Sequence, residues 1–369
     1  GRGYDPTPAR VAEALQAQGR VLGHTEVLRT AEFLRSELIG TGPLDPLLAD
    51  PAVTDVLVNA PDRVWVDRSQ GLELTGVTFP NEFAVRRLAQ RLAAAAGRRL
   101  DDARPWVDAR LPDGTRLHAV LPPVAVGSTC LSLRVVRPRA FTLAELVAAG
   151  TVPSGGDRIL RALLDARLSF LISGGTGSGK TTLLSTLLGL VAPRERIVIA
   201  DDSAELHPDH PHVVCLQTRH ANQEGAGLVT LHDLVRQALR MRPDRLVVGE
   251  VRGAEVVHLL AALNTGHEGG CGTVHANAAA DVPARLEALG TAAGLDRDAL
   301  HSQLAAALSV VLHLVRGHGG QRRIAEVHVV QRNPSGLVAT VPALRWGAGA
   351  FTREAGWERL AELLGGDRP

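Results

Sequence analysis

Three stretches of this sequence place residue types that handle phosphate at spacings that let them cooperate. The first is SGGTGSGKTT, residues 173–182, which satisfies G-x-x-x-x-G-K-[ST] through Gly174, Gly179, Lys180 and Thr181. Gly175, Thr176, Gly177 and Ser178 fill the loop, and Thr182 follows it between an apolar strand and an apolar helix. Glycines let backbone N–H groups turn inward on phosphate oxygens, and the helix that begins here points its positive end at the same anion. Lys180 is the only lysine among 369 residues, although Lys and Arg together number 40. A compact ammonium reaches the β- and γ-phosphates of ATP where a broad guanidinium does not fit. Ala, Gly, Pro and Arg abundance reads as pressure from a GC-rich genome, under which a lysine persists only where arginine cannot serve.

The second stretch, IADDSAEL at residues 199–206, puts Asp201, Asp202 and Glu205 after a strand. Such an acidic turn often serves as a solvated loop or helix cap. Its position after the phosphate loop favours a carboxylate that aligns an attacking water. The third, DRLVVGEVRG at residues 244–253, ends an apolar strand in Glu250. With the Thr181 hydroxyl, this carboxylate suits Mg²⁺. Downstream, GHEGGCGTVHAN at residues 266–277 adds His267 and His275, each either structural or a sensor of the γ-phosphate. No H-x-x-x-H or cysteine partner suggests zinc. Arg236 and Arg240 fall on one helical face, with Arg242 and Arg245 just beyond, as a salt-bridge surface or a phosphate clamp.

The elements that must position these residues follow from the apolar patterning. Strand-like runs at 168–173, 196–200, 245–250 and 271–276 alternate with helical runs at 180–191, 228–240, 253–264, 282–289 and 297–312. Alternation of this kind predicts an α/β fold with a mainly parallel sheet covered by helices, over residues 151–331. Before it, residues 40–138 mix short β-branched runs with the helical NEFAVRRLAQRLAAAAGRRL, an α+β domain. Residues 1–39 read as a helical segment, 139–150 as a proline-marked linker and 332–369 as a hairpin and short helix.

Composition narrows the function classes. A net charge of +1 and an aromatic content of 3% argue against a protein that coats nucleic acid or stacks single-stranded bases. That disfavours a DNA translocase or helicase built on such a core. Complete acidic motifs argue against a nucleotide-dependent scaffold without turnover. Cys130, Cys215 and Cys271 stand far apart with no C-x-x-C pair, which fits a reducing cytoplasm and argues against a disulfide framework and a structural zinc site. The longest apolar runs are too short to span a bilayer, so any membrane contact is expected to be peripheral. The only methionine is Met241, so residues upstream of Gly1 are expected.

Taken in order, SGGTGSGKTT, DDSAEL, VTLHDLVRQALRMRPDRLVVGEVRGAE and NTGHEGGCGTVHAN resemble the type II/IV secretion and type IV pilus ATPase superfamily. The closest likeness is to its CpaF/TadA branch, the motors of tight-adherence (Flp-type) pili. The likeness extends upstream through GPLDPLLADPAVTDVLVNAPDRVWV and VDARLPDGTRLHAVLPP, over roughly residues 40–331. It implies a homo-hexameric ATPase that uses ATP and Mg²⁺, with a RecA-like P-loop NTPase core and an N-terminal domain clamping the nucleotide. In that likeness Glu205 is the catalytic carboxylate, Glu250 the Walker B acid and His275 the His-box histidine. Arg116 and Arg134 are the arginines that reach the phosphates, with Arg240 a further one. Asp201 stands where relatives often have Glu, and Cys271 where Met is common. The four-cysteine zinc module of type II secretion ATPases is absent. Implied partners are polytopic inner-membrane platform proteins, which places the chain in the cytoplasm at the inner face of that membrane. A conjugation-type type IV secretion ATPase is the alternative.

Overall fold

The computed structural model describes residues 7–17, 23–38, 40–68, 71–135, 140–202, 205–219, 221, 226–266, 268–317, 319–347 and 350–365. Two compact units divide the chain, Gly1–Arg137 and Pro138–Pro369.

In the first unit, α1 (Pro8–Ala17), α2 (His24–Leu38) and α3 (Asp45–Ala49) precede β1 (Asp55–Ala60), β2 (Arg63–Asp67) and β3 (Leu72–Leu74). Then come α4 (Glu82–Ala95), β4 (Trp106–Arg110), β5 (Arg116–Val120) and β6 (Cys130–Arg134). The six strands form one antiparallel sheet in the order β3-β2-β1-β6-β5-β4. Val56, Val58, Val64, Val66, Leu117, Leu131 and Leu133 alternate inward from its strands and share a core with Val85, Leu88 and Leu92 of α4. That period of two against a helical stripe is why the short β-branched runs fold as a one-sided sheet. Helix α4 starts where the Asn81 side chain accepts the Ala84 N–H at 3.0 Å.

The second unit opens with α5 (Leu143–Ala148), α6 (Gly156–Asp165), β7 (Phe170–Gly174), α7 (Lys180–Leu188), β8 (Ile197–Asp201) and β9 (Val213–Gln217). It continues through α8 (Leu231–Ala238), β10 (Arg245–Val251), α9 (Glu255–Leu263), β11 (Cys271–Val274), α10 (Val282–Ala292) and α11 (Arg297–Ala307). Strands β12 (Val310–Arg316), β13 (Arg322–Arg332), β14 (Val338–Gly347) and β15 (Ala350–Arg353) and helix α12 (Trp357–Leu363) complete it. The sheet order is β15-β14-β13-β12-β7-β11-β10-β8-β9. From β12 to β9 all pairs are parallel, and β13 to β15 add antiparallel strands at the other side.

Both faces are covered, as near-continuous apolar strands require. Phe170 and Ile172 of β7 pack with Leu183, Leu184 and Leu187 of α7, whereas Leu171 between them packs with residues of α8 to α11 on the opposite face. The parallel α/β core is therefore as the alternation predicts. Three readings of elements change. The helix expected over 297–312 stops at Ala307, and Val310–Arg316 is a strand. Its run VVLHLV is β-branched and buried on both faces, so periodicity could not separate it from a buried helix. The expected linker over 139–150 carries α5, opened by a Thr142–Glu145 capping box, with Leu143 and Leu146 in the second unit's core. The expected tail over 332–369 holds the predicted hairpin and helix, but β14 and β15 extend the large sheet.

Candidate active site

The parallel strands bring the three chemical stretches to one edge. Strands β7, β8, β10 and β11 end at Gly174, Asp201, Val251 and Val274, so the phosphate loop, the acidic turn, Glu250 and His275 all leave the carboxyl ends of neighbouring strands. This is where ligands of open parallel sheets sit. The loop's first glycine is obligatory in this setting. Gly174 has φ of 149°, and a Cβ there would lie 2.4 Å from the Leu314 carbonyl oxygen on the adjacent strand. No L side chain fits that approach.

Lys180 opens α7 and is buried, with 7% of its surface exposed. Its ammonium donates to the Gly174 and Gly175 carbonyls, both at 2.9 Å, and stands 3.4 Å from His275 Nδ1. Burial lowers the Lys180 pKa from its ordinary value, and the Glu250 carboxylate works against that shift. His275 Nε2 is 3.2 Å from Glu250 Oε1. Burial and then the Lys180 ammonium depress the imidazole, with Glu250 opposing. Lys180, His275 and Glu250 thus form a chain of contacts from the phosphate loop to the end of β10.

Asp201, buried at the end of β8, accepts the Glu205 backbone N–H at 2.9 Å through Oδ2. Its place depends on the neighbouring strand having no side chain, since a Cβ on Gly249 would meet Asp201 Oδ1 at 2.3 Å. Asp202 pairs with Arg252, which follows β10. Glu205 is half-buried beyond this turn, and His267 lies outside the described residues.

The arginines divide. Arg134 and Arg116 are directly opposite on β6 and β5, and Arg116 faces Arg110 on β4, a cross-strand row in the first unit. Like charges directly opposite cost stability unless an anion or carboxylate answers them, and Asp55 answers Arg134 Nε at 2.9 Å. Within one chain Arg240 is not brought to the phosphate loop. Helix α8 returns the chain to the amino edge of the sheet, so Arg240 sits exposed at the entrance to β10, opposite to Glu250 at the exit. Arg245 is a core residue bound to Glu195 at 2.8 Å, neither a surface pair nor a phosphate clamp.

Two sets of neighbours escaped the sequence reading because the expected helix ran to residue 312 and no strand was expected over 313–331. Arg316 and Arg322 flank the phosphate loop, with Arg322 Nε donating to the Gly177 carbonyl at 3.0 Å. The turn-rich GHGGQ between them was the available signal of a hairpin. Behind the loop, Ser173 Oγ lies 2.9 Å from Nδ1 of the buried His313. Burial leads in depressing the His313 pKa, with Glu326 opposing. The unfolded chain therefore takes up this proton first as pH falls, so His313 is expected to cost stability below its ordinary value of 6.5. Denaturation midpoints at pH 7.5 and 5.5 should differ less in His313→Gln than in the native chain, and equal differences would refute this.

Comparison with known proteins places this architecture. Residues 37–346 match the family described as Type II/IV secretion system protein. The chain belongs to that family. A Mycobacterium tuberculosis protein described as a putative conjugal transfer protein is 60% identical over 327 residues, spanning 87% of this chain and 93% of its own length. The conjugal transfer protein TrbB of Rhizobium radiobacter is 31% identical over 289 residues, 76% of this chain and 85% of its own. Among solved structures, the pilus retraction motor PilT with bound ADP matches at a TM-score of 0.53 and 18% identity, over 86% of this chain and 84% of that one. At that identity the match speaks for the fold, a RecA-like core preceded by an N-terminal domain.

Proposed function

We propose that this chain binds and hydrolyses ATP and uses the cycle to drive export or filament assembly across a cell envelope. The observation that carries this reading is the contact chain from the phosphate-loop carbonyls through Lys180 and His275 to Glu250. An entering triphosphate offers the Lys180 ammonium stronger, charged acceptors than two carbonyls. Glu205, set by Asp201 at the same sheet edge, is the carboxylate that aligns the attacking water. His275, hydrogen-bonded between an ammonium and a carboxylate, reports whether the γ-phosphate is in place. Arg116 and Arg134, directly opposite on β5 and β6, remain the anion-binding candidates of the first unit in this reading.

The donor set fits Mg²⁺. Thr181 and Glu250 offer a hydroxyl and a carboxylate, the hard oxygens this ion takes. Mg²⁺ typically keeps several waters and shares its coordination with substrate phosphates, so one or two protein oxygens suffice. When bound, Mg²⁺ neutralises charge on the β- and γ-phosphates.

The working form proposed is a homo-hexamer held at the inner face of the cytoplasmic membrane by polytopic platform proteins. Among the described residues no helix is long and apolar enough to cross a membrane. The motif order favours the tight-adherence pilus branch, whereas the names of the Mycobacterium and Rhizobium relatives favour a conjugation-type secretion ATPase. Genes for prepilin and two platform proteins beside this one would favour the first, and a conjugation gene set the second. The activity itself is tested by steady-state phosphate release against protein concentration. Turnover per subunit should rise with concentration, ignore single-stranded DNA and fall by about 10²–10³-fold in Glu205→Gln. Turnover that Glu205→Gln leaves intact would remove Glu205 from the mechanism, and stimulation by DNA would favour a translocase.

A further inference from the structure

The hairpin formed by β12 and β13 lies against the phosphate loop and adds a contact that none of the motifs contains. Arg316 closes β12 and Arg322 opens β13, directly opposite each other. The turn between them is fixed by Gly317 N–H on the Gln321 carbonyl at 2.8 Å and Gly320 N–H on the Gly317 carbonyl at 2.9 Å. Strand β12 runs beside β7 with Leu314 opposite Gly174, so the hairpin emerges next to the loop's first residue. From there Arg322 Nε reaches the Gly177 carbonyl at 3.0 Å. Its Cδ lies 3.3 Å from where a Cβ of Gly179 would stand, and Arg316 Nη1 lies 3.4 Å from the corresponding point on Gly177. Two guanidinium side chains therefore cover one face of the loop, over the glycines whose φ angles are +71° and +95°.

The consequence follows from peptide geometry. The Gly177 carbonyl and the Ser178 N–H belong to one planar trans unit and point in opposite directions. Holding the carbonyl on Arg322 directs the Ser178 N–H to the other side of the peptide, where it donates to the Gly175 carbonyl at 3.4 Å, an acceptor that a phosphate oxygen would replace. Inward N–H groups are what makes such a loop a cradle for phosphate. We infer that Arg322 is a positioning residue of the phosphate loop, fixing the Gly177–Ser178 peptide for phosphate binding, and that Arg316 beside it adds positive charge to the same face. The donor is charged, so the bond is stronger than one between neutral groups, and it ties the antiparallel extension of the sheet to the nucleotide site.

This inference rests on the ATP-binding reading, and one set of titrations separates the two. Calorimetry with ADP and with a non-hydrolysable ATP analogue is run on the native chain, Arg322→Ala, Arg322→Lys and Arg316→Ala. Arg322→Ala should weaken both ligands by about tenfold, since the loop holds phosphates common to both. Arg322→Lys, which keeps a charged donor, should recover part of that loss. Arg316→Ala should weaken both by about threefold, with a loss that shrinks as salt is raised. In turnover, Arg322→Ala should raise KM while kcat falls no more than about threefold, because the residue acts on binding and not on the reacting atoms. A role in folding alone would lower the melting temperature and leave both affinities unchanged, and that outcome overturns the inference. Failure of the native chain to bind either ligand would overturn the nucleotide reading and this inference together.

Discussion

Lys180→Ala is expected to cut ATP turnover by about 10²–10³-fold or more, and Lys180→Arg to fail nearly as badly although it keeps the charge. The arginine variant is the sharper test. The ammonium sits in a buried position, 2.9 Å from two carbonyls of its own loop and 3.4 Å from His275. A point donor with three rotatable protons can exchange such acceptors for phosphate oxygens without moving the loop. A guanidinium is planar and wider, and the loop around it is bounded by Leu314 behind Gly174 and by Arg322 beside Gly179. Phosphate release at saturating ATP, with ADP affinity measured on the same preparations, checks both variants. Turnover in Lys180→Arg above about a tenth of native would show that charge alone suffices, and the single lysine would then be an accident of composition.

The legible parts of this site were those in which one residue type answers one physical demand. Glycines at a strand-to-helix turn followed by lysine predicted the loop, and the structure supplies the steric reason at Gly174. Glu250 and His275 were legible because one lies at the end of an apolar strand and the other just after one, and parallel strands deliver their carboxyl ends to one edge. What was not legible depended on register between distant segments. Arg322 contacts a residue 145 positions earlier in the chain, and Ser173 meets His313 from 140 positions away. Both pairings exist only because β12 inserts beside β7, a strand that apolarity alone could not distinguish from a helix. Arg240 and Arg245 show the converse. They look like one cluster in sequence, yet α8 carries the chain to the far edge of the sheet, where Arg245 turns into the core.

That core arginine sets the largest expected effect on folding. Arg245 is 2% exposed, donates from Nε to Glu195 Oε2 at 2.8 Å and from Nη2 to the Leu164 carbonyl at 2.9 Å. Arg167 reaches the same Glu195 oxygen at 2.8 Å from the surface side. Glu195→Ala would leave the guanidinium buried without its carboxylate, at a cost of about 3–5 kcal/mol. The alternative, moving Arg245 into solvent, would empty its space against Gly269, where a Cβ would come within 2.8 Å of Nη1. Replacing both partners by apolar groups removes the stranded charge, so Glu195→Ala with Arg245→Met should be less destabilised than Glu195→Ala alone. Chemical denaturation of the two single variants and the double gives the coupling directly. Arg245 begins β10 and Glu250 lies near its end, so the folded fraction of each variant should keep its nucleotide affinity. A Glu195→Ala variant as stable as the native chain would show that water or backbone takes over the guanidinium. A large loss shared equally by the double variant would assign the effect to the shape of the pocket and not to its charge.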